Sequence, residues 1–216
     1  ILTDTRTPDP RWLETLETQI AADAVCVAAS RAALILHLRH HLAALESAQS
    51  LFPAPDVRVI CAVQEALASR PAVEVEHALA ARLKAERMKD AAAGRTAAGA
   101  HRADFAVHYA AKNMPADQCS TGEQKGLLLS LVLGHARMMR DEKGFVPLLL
   151  LDEVAAHLDD NRRAQLFAHL LSLGGQVWLT GTDAALFSAL EDAAVFSIAG
   201  GEAMPARNRL REAGAS

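Results

Sequence analysis

Leu148-Leu149-Leu150-Leu151-Asp152-Glu153 is a short apolar run that stops on two acids. Continuous leucine is the pattern of a strand buried on both faces, as in a helix-covered parallel sheet. Ligands of such sheets gather at the carboxyl ends of the strands, so Asp152 and Glu153 stand where chemistry would be done. About thirty residues earlier lies Ser120-Thr121-Gly122-Glu123-Gln124-Lys125, which reads as a turn opening a helix. Ser120 is an N-cap candidate, Glu123 sits at capping-box spacing, and Gly122 lets the backbone approach a ligand. A helix start offers free N–H groups and a positive dipole end, which suits a phosphate.

Around this pair the texture alternates between strand and helix. Helix is predicted from the turn at Pro115–Gly122 through Met139, then a strand at Pro147–Asp152 and a helix at Asp160–Leu171. A strand at Gln176–Thr180, a short helix at Ala184–Leu190 and a strand at Ala194–Ile198 follow. Strands separated by helices imply an α/β class with a parallel sheet. Upstream, Leu13, Leu16, Ile20, Val27, Leu34, Leu38 and Leu42 mark a long amphipathic helix that starts near Thr7-Pro8-Asp9-Pro10 and ends before Phe52-Pro53. Asp56–Val63 reads as a strand, Ala72–Ala93 as a helix stopped by Gly94, and Phe105, Val107 and Tyr109 as a further strand. The expected division is a mainly helical segment over 1–98, an α/β segment over 99–200 and a loose tail over 201–216.

Composition narrows the class. The 216 residues are 51% apolar but only 4% aromatic, so the core should rest on Leu, Val and Ala. The net charge of −4 gives no global basic footprint for nucleic acid, although a local patch could exist. Cys26, Cys61 and Cys119 form no C-x-x-C pair and suit free thiols in a reducing, cytoplasmic setting. No uninterrupted apolar run approaches eighteen residues, so no membrane span is expected. The chain opens on Ile1 rather than Met, which reads as a piece of a longer protein.

The acids suggest ATP chemistry. Asp152 would hold Mg²⁺, a hard cation that prefers oxygen ligands. Glu153 would orient or deprotonate the water that attacks a γ-phosphate. Taken alone, the same residues could be a strand ending in solvated acids and an ordinarily capped helix. The two in this order and spacing look like the second half of an ABC-type ATPase head. Ala156-His157-Leu158-Asp159 falls where such heads have the D-loop, with Asp159 or Asp160 also a plain helix cap. Thr182 stands where many such heads carry a switch histidine. No phosphate loop of the form G-x-x-x-x-G-K-[ST] is present. Gly94 and Gly99 have its spacing, but Ala100 stands where its lysine should be.

These motifs, with Leu158-Asp159-Asp160-Asn161-Arg162-Arg163 and Thr180-Gly181-Thr182-Asp183, resemble the RecF family of DNA-repair ATPases, related to the SMC heads. Gly99-Ala100-His101-Arg102-Ala103-Asp104 is similar to that family's G-P-H-R-x-D segment, with Ala100 in place of proline. The resemblance implies the C-terminal half of an ABC-type head joined to a helical lid. It implies ATP and Mg²⁺ binding, ATP-dependent homodimerisation with slow hydrolysis, and binding to gapped or single-stranded DNA junctions with RecO and RecR to help load RecA. Ser120, Thr121, Gly122, Glu123 and Gln124 would cap ATP held by the partner copy. Asp152 and Glu153 would act on ATP of their own subunit. Without a phosphate loop the chain alone is expected to be inactive. Another SMC-like head, or a non-catalytic DNA-binding or interaction module on the same fold, are the alternatives.

Other groups say less. His101 and Arg102 could contact DNA phosphate or serve a structural salt bridge. His37, His40 and His41 sit at helical spacing, but no Cys or carboxylate lies near them in sequence, so a solvated face is favoured over a metal. Lys84, Arg87 and Lys89 alternate with Glu86 and Asp90, as in surface pairs along one helix, and Arg207, Arg209 and Arg211 make a small basic tail.

Overall fold

The structure, a computed structural model, describes residues 9–47, 52–190 and 192–205. The first two residues of the expected helix start and the arginines of the basic tail lie outside them. Helix α1 runs unbroken over Pro10–Ser47, with a length of about 57 Å at helical rise. It is followed by β1 (Pro55–Ile60), α2 (Ala62–Leu67), α3 (Ala72–Ala93), β2 (Asp104–Tyr109) and β3 (Met114–Pro115). Then come α4 (Thr121–Lys143), β4 (Leu149–Leu151), α5 (Asp160–Leu173), β5 (Val177–Leu179), β6 (Phe196–Ala199) and β7 (Glu202–Pro205). Among the described residues the strands form three small sheets: antiparallel β1-β2-β3, parallel β4-β5 and antiparallel β6-β7.

Two cores divide the molecule, and α1 enters both. Its first half packs Ala21, Ala24, Val25 and Ala28 against Val63 of α2 and Val75, Leu79 and Leu83 of α3. Its second half packs Ile35, Leu38 and Leu42 with Leu129 and Leu133 of α4, Leu149 and Leu151 of β4 and Leu166, Phe167 and Leu170 of α5. Leu, Val and Ala carry both cores, as the composition implies. Pairs between elements fix the contacts. Arg87 grips Glu17 with two hydrogen bonds, at 2.5 and 2.7 Å, and Lys84 reaches Glu14 at 2.8 Å. The cations of α3 therefore bind mainly to α1 rather than along their own helix, where Arg82–Glu86 is the i,i+4 pair. Pro53 sits so close to α4 that a Cβ on Gly126 would lie 2.7 Å from its ring, and Ser130 donates to the Pro53 carbonyl at 2.8 Å.

Several expectations change. By length and composition α1 passes the test for a membrane span. Asp23 and Arg31 interrupt its apolar stretch, and Arg31 donates to the Ala100 carbonyl at 2.6 Å, as a helix packed within a protein does. The strand expected over Asp56–Val63 ends at Ile60, because Cys61 caps α2 and buries Val63 on the helix. Helix α4 continues past Met139 to Lys143, where Gly144 turns left-handed. The segment at Ala184–Phe187 is a 3₁₀ turn. The last strand belongs to a hairpin rather than to the parallel pair. The tail is not loose at its start, since Gly200 and Gly201, with φ of 62° and 84°, turn the chain back into β7. A two-residue turn with both φ positive is the hairpin connection that glycine makes easily. The leucine strand is buried on one face only: Leu149 and Leu151 face the core, but Leu150 is 71% exposed. Leu150 pairs in register with half-exposed Trp178, whose ring lies 6.2 Å from Phe196.

Leu166 is fully buried. Leu166→Ala should cost about 2–5 kcal/mol in urea unfolding, as deletion of a packed leucine does. A change below about 1 kcal/mol would mean that the α/β core is not packed as described. The bare Leu150–Trp178 face should make the chain self-associate, with light scattering rising with concentration and falling in Leu150→Glu. A strictly monomeric wild type at high concentration would count against this.

Candidate active site

Asp152 and Glu153 follow directly on β4, as expected. The parallel register sets Leu151 beside Leu179, and the Thr180 N–H donates to the Leu151 carbonyl at 3.1 Å, one step past the strand. That step brings the Thr180 side chain to the acids. Its hydroxyl donates to Asp152 Oδ1 and accepts the Glu153 N–H at 3.0 Å. Glu153 has φ of 53°, a left-handed conformation that side chains other than glycine, Asn and Asp seldom adopt. Asp152 is exposed and Glu153 half-buried. No group of three or more His, Cys, Asp or Glu residues poised to hold a metal occurs among the described residues. The Asp152 carboxylate still fits Mg²⁺, which takes one or two carboxylates and completes its shell with water and phosphate oxygens.

The second element is the start of α4. Ser120 caps the helix, accepting the Glu123 N–H, while Glu123 accepts the Ser120 N–H at 3.0 Å and its hydroxyl at 2.9 Å. Lys112 pairs with Glu123 from outside the helix. That ion pair, followed by the two bonds from Ser120, holds the Glu123 carboxyl down at about 2. Gln124 donates to the Cys119 carbonyl at 3.2 Å. Thr121 and Gly122 are exposed, and a Cβ on Gly122 would meet nothing within 4 Å. The turn therefore offers open backbone on a rigid cap. No hydrogen bond joins it to the Asp152–Glu153 turn among the described residues.

The remaining positions sort clearly. Asp159 caps α5, accepting the Arg162 N–H at 2.9 Å, and the Leu158 carbonyl accepts from Arg163 at 2.9 Å. Thr182 is exposed and has no hydrogen-bond partner among the described residues, while Asp183 caps the 3₁₀ turn after it. His101 hydrogen-bonds through Nε2 to the Thr96 carbonyl at 2.9 Å, and Arg102 is exposed and forms no salt bridge among the described residues. Both line a cavity of about 530 Å³ between α1, α3 and residues 94–96. The histidines of α1 do meet carboxylates, contrary to expectation, because α4 brings them. Glu142 lies 2.8 Å from His37 and 3.3 Å from His41, which buries against it, and Asp141 stands 3.6 Å from His41. His37, more than His41, holds the Glu142 carboxyl below its usual range. Thr180 and Lys112 were missed because their contacts cross between elements. Thr180 stands in the Thr180–Asp183 motif, and the adjacency of the two strand ends is the signal for its contact with the acids.

No family model matches the chain. The chain is 47% identical over 188 residues to the DNA replication and repair protein RecF of Mesorhizobium japonicum, covering 87% of this chain and 49% of that protein. It is 46% identical over 195 residues to RecF of Rhizobium leguminosarum bv. trifolii, covering 90% and 52%. Against RecF of Brucella abortus the identity is 43% over 195 residues, covering 90% and 50%. Solved structures of the recombination mediator protein RecF-ATP and RecF-ATPrS in the RecFOR pathway superpose with TM-scores of 0.72 and 0.71 at 24% and 22% identity. The superpositions cover 92% and 93% of this chain and 52% of each structure. The fold is thus the mixed α/β fold of those RecF structures, a parallel strand pair with helices joined to a helical region. The resemblance to the RecF family holds along nearly all of the chain, which spans about half the length of the curated relatives it matches.

The depressed Glu123 carboxyl gives a pH test. Because its folded value lies below the ordinary 4.5, its stabilising contribution is full above about 4.5 and is lost as pH falls through about 2. Carboxyl NMR should place the Glu123 midpoint near 2, and Lys112→Ala should move it up toward 4.5. A wild-type midpoint near 4.5 would rule out the ion-paired cap.

Proposed function

We propose that the chain forms part of a RecF-type DNA-repair ATPase. The observation that carries this reading is the Asp152–Glu153 turn, held by Thr180 at the carboxyl end of a parallel strand pair. Asp152 supplies a carboxylate oxygen for Mg²⁺. Mg²⁺, when bound, neutralises charge on the nucleotide phosphates. Glu153 accepts a proton from, or orients, the attacking water. Ser120, Thr121, Gly122, Glu123 and Gln124 present their capped, open turn to ATP held by a second copy, so ATP drives homodimerisation. Leu158 and Asp159 form the D-loop at that interface. Thr182 brings no imidazole to the phosphate, in keeping with slow hydrolysis. The chain carries no phosphate loop, so we expect turnover only when one is supplied by the intact protein.

In this reading residues 1–98 form a lid-like helical domain and residues 99–200 the ATPase segment, with β1 of the first paired to β2 of the second. The intact protein binds gapped or single-stranded DNA and works with RecO and RecR to support RecA loading. That reading draws on the named relatives and on the RecFOR pathway of the solved neighbours. His101 and Arg102 are candidates for phosphate contact, with Arg102 free to make it. The free thiols suit a cytoplasmic location.

The test is made on the intact protein. Glu153→Gln should lower ATP turnover about 10²–10⁴-fold, the usual contribution of a general base, while ATP-dependent dimerisation persists. Unchanged turnover in Glu153→Gln and Asp152→Asn would point instead to a module that keeps the fold without the chemistry.

A further inference from the structure

The turn bearing the two acids is shaped by the Thr180 side chain, whose contact with them the Thr180–Asp183 motif does not reveal. We propose that Thr180 is a positioning residue of the ATP site, selecting the Asp152 oxygen left for the cation and fixing the backbone of Glu153. The proposal rests on the ATPase reading above. A hydroxyl has one proton to donate and lone pairs to accept with. Thr180 gives its proton to Asp152 Oδ1 and takes the Glu153 N–H, so one atom ties two consecutive residues. With Oδ1 engaged, Oδ2 is the oxygen that remains for a cation or its water.

The hydroxyl is itself well placed to impose geometry. The Thr180 backbone is anchored to Leu151, and threonine is stiff at χ1 because it is branched at Cβ. The residue it restrains needs restraint, since Glu153 sits in the left-handed region. The contact contributes little to overall stability, because Thr180 and Asp152 are both exposed and would otherwise be hydrated. Its effect is on orientation, so a variant can lose it without losing the fold. Val fills the same volume without either hydrogen bond, and Ser keeps both bonds without the methyl group.

The experiment compares wild type, T180V and T180S. In the intact protein, T180V should lower kcat for ATP about 10–100-fold and raise the Mg²⁺ concentration needed for half-maximal turnover, with the thermal midpoint near wild type. T180S should restore both to within a few-fold. In this chain, amide hydrogen exchange at Glu153 should be slow in wild type and T180S and fast in T180V. Wild-type kcat and Mg²⁺ dependence in T180V overturn the proposal. So do equal losses in T180V and T180S with a lowered midpoint, which would mark a packing role for the methyl group. A wild-type protein that does not hydrolyse ATP strikes the ATPase reading instead. The exchange arm then decides whether Thr180 holds the turn, and a rapidly exchanging Glu153 amide in wild type refutes it.

Discussion

The structure depends on one helix being buried twice. Helix α1 is long enough to serve two cores, and it supplies alanines to one and larger aliphatic side chains to the other. Ala21, Ala24 and Ala28 let α3 approach closely, while Ile35, Leu38 and Leu42 fill the wider space toward α4 and α5. Small residues favour close helix contact and large ones fill volume, so the change along α1 sets where each neighbour can sit. The polar contacts follow the same division. Glu14 and Glu17 hold α3, Arg31 holds the Ala100 carbonyl, Arg39 holds Asp56 of β1, and His37 and His41 hold the end of α4.

That last contact links the helical region to the candidate site. Helix α4 begins at the capped Ser120 turn and ends in the Asp141–Glu142 pair clamped to α1. The turn proposed to meet a nucleotide therefore sits on a helix whose far end is fixed by α1. At the near end Lys112 fixes Glu123. Both ends of α4 are held by charged contacts from other elements, whereas its middle is held by apolar packing and the Ser130 hydrogen bond to Pro53.

Much of this was legible in the sequence, and the failures have physical causes. Helix α3 was readable to the residue because its charged, alanine-rich stretch ends at a glycine that adopts φ of 64°. The cap at Ser120 and the acids after β4 were readable because their signals are local. Val63 misled because β-branched residues favour strands, yet burial against α1 and α3 placed it on a helix. A leucine run does not say which face of its strand is open, and Leu150 lies on the open one, the exposed apolar surface expected of a half-sheet. The hairpin at Gly200-Gly201 looked like a loose polar tail. The contacts of Thr180 with Asp152 and of Glu142 with His37 join residues 28 and 105 positions apart, beyond the reach of periodicity or spacing.

The double burial of α1 also orders the birth of the molecule. Its first half finds Val75–Leu83 soon after leaving the ribosome. Its second half needs Leu129 of α4, some ninety residues after Ile35, and then Leu166 and Phe167 of α5. At ordinary synthesis rates that is a wait on the order of 5–20 s with an apolar stripe uncovered. Arg39 can meet Asp56 of β1 early in that interval, whereas only the arrival of α4 gives His37 and His41 their carboxylate partners.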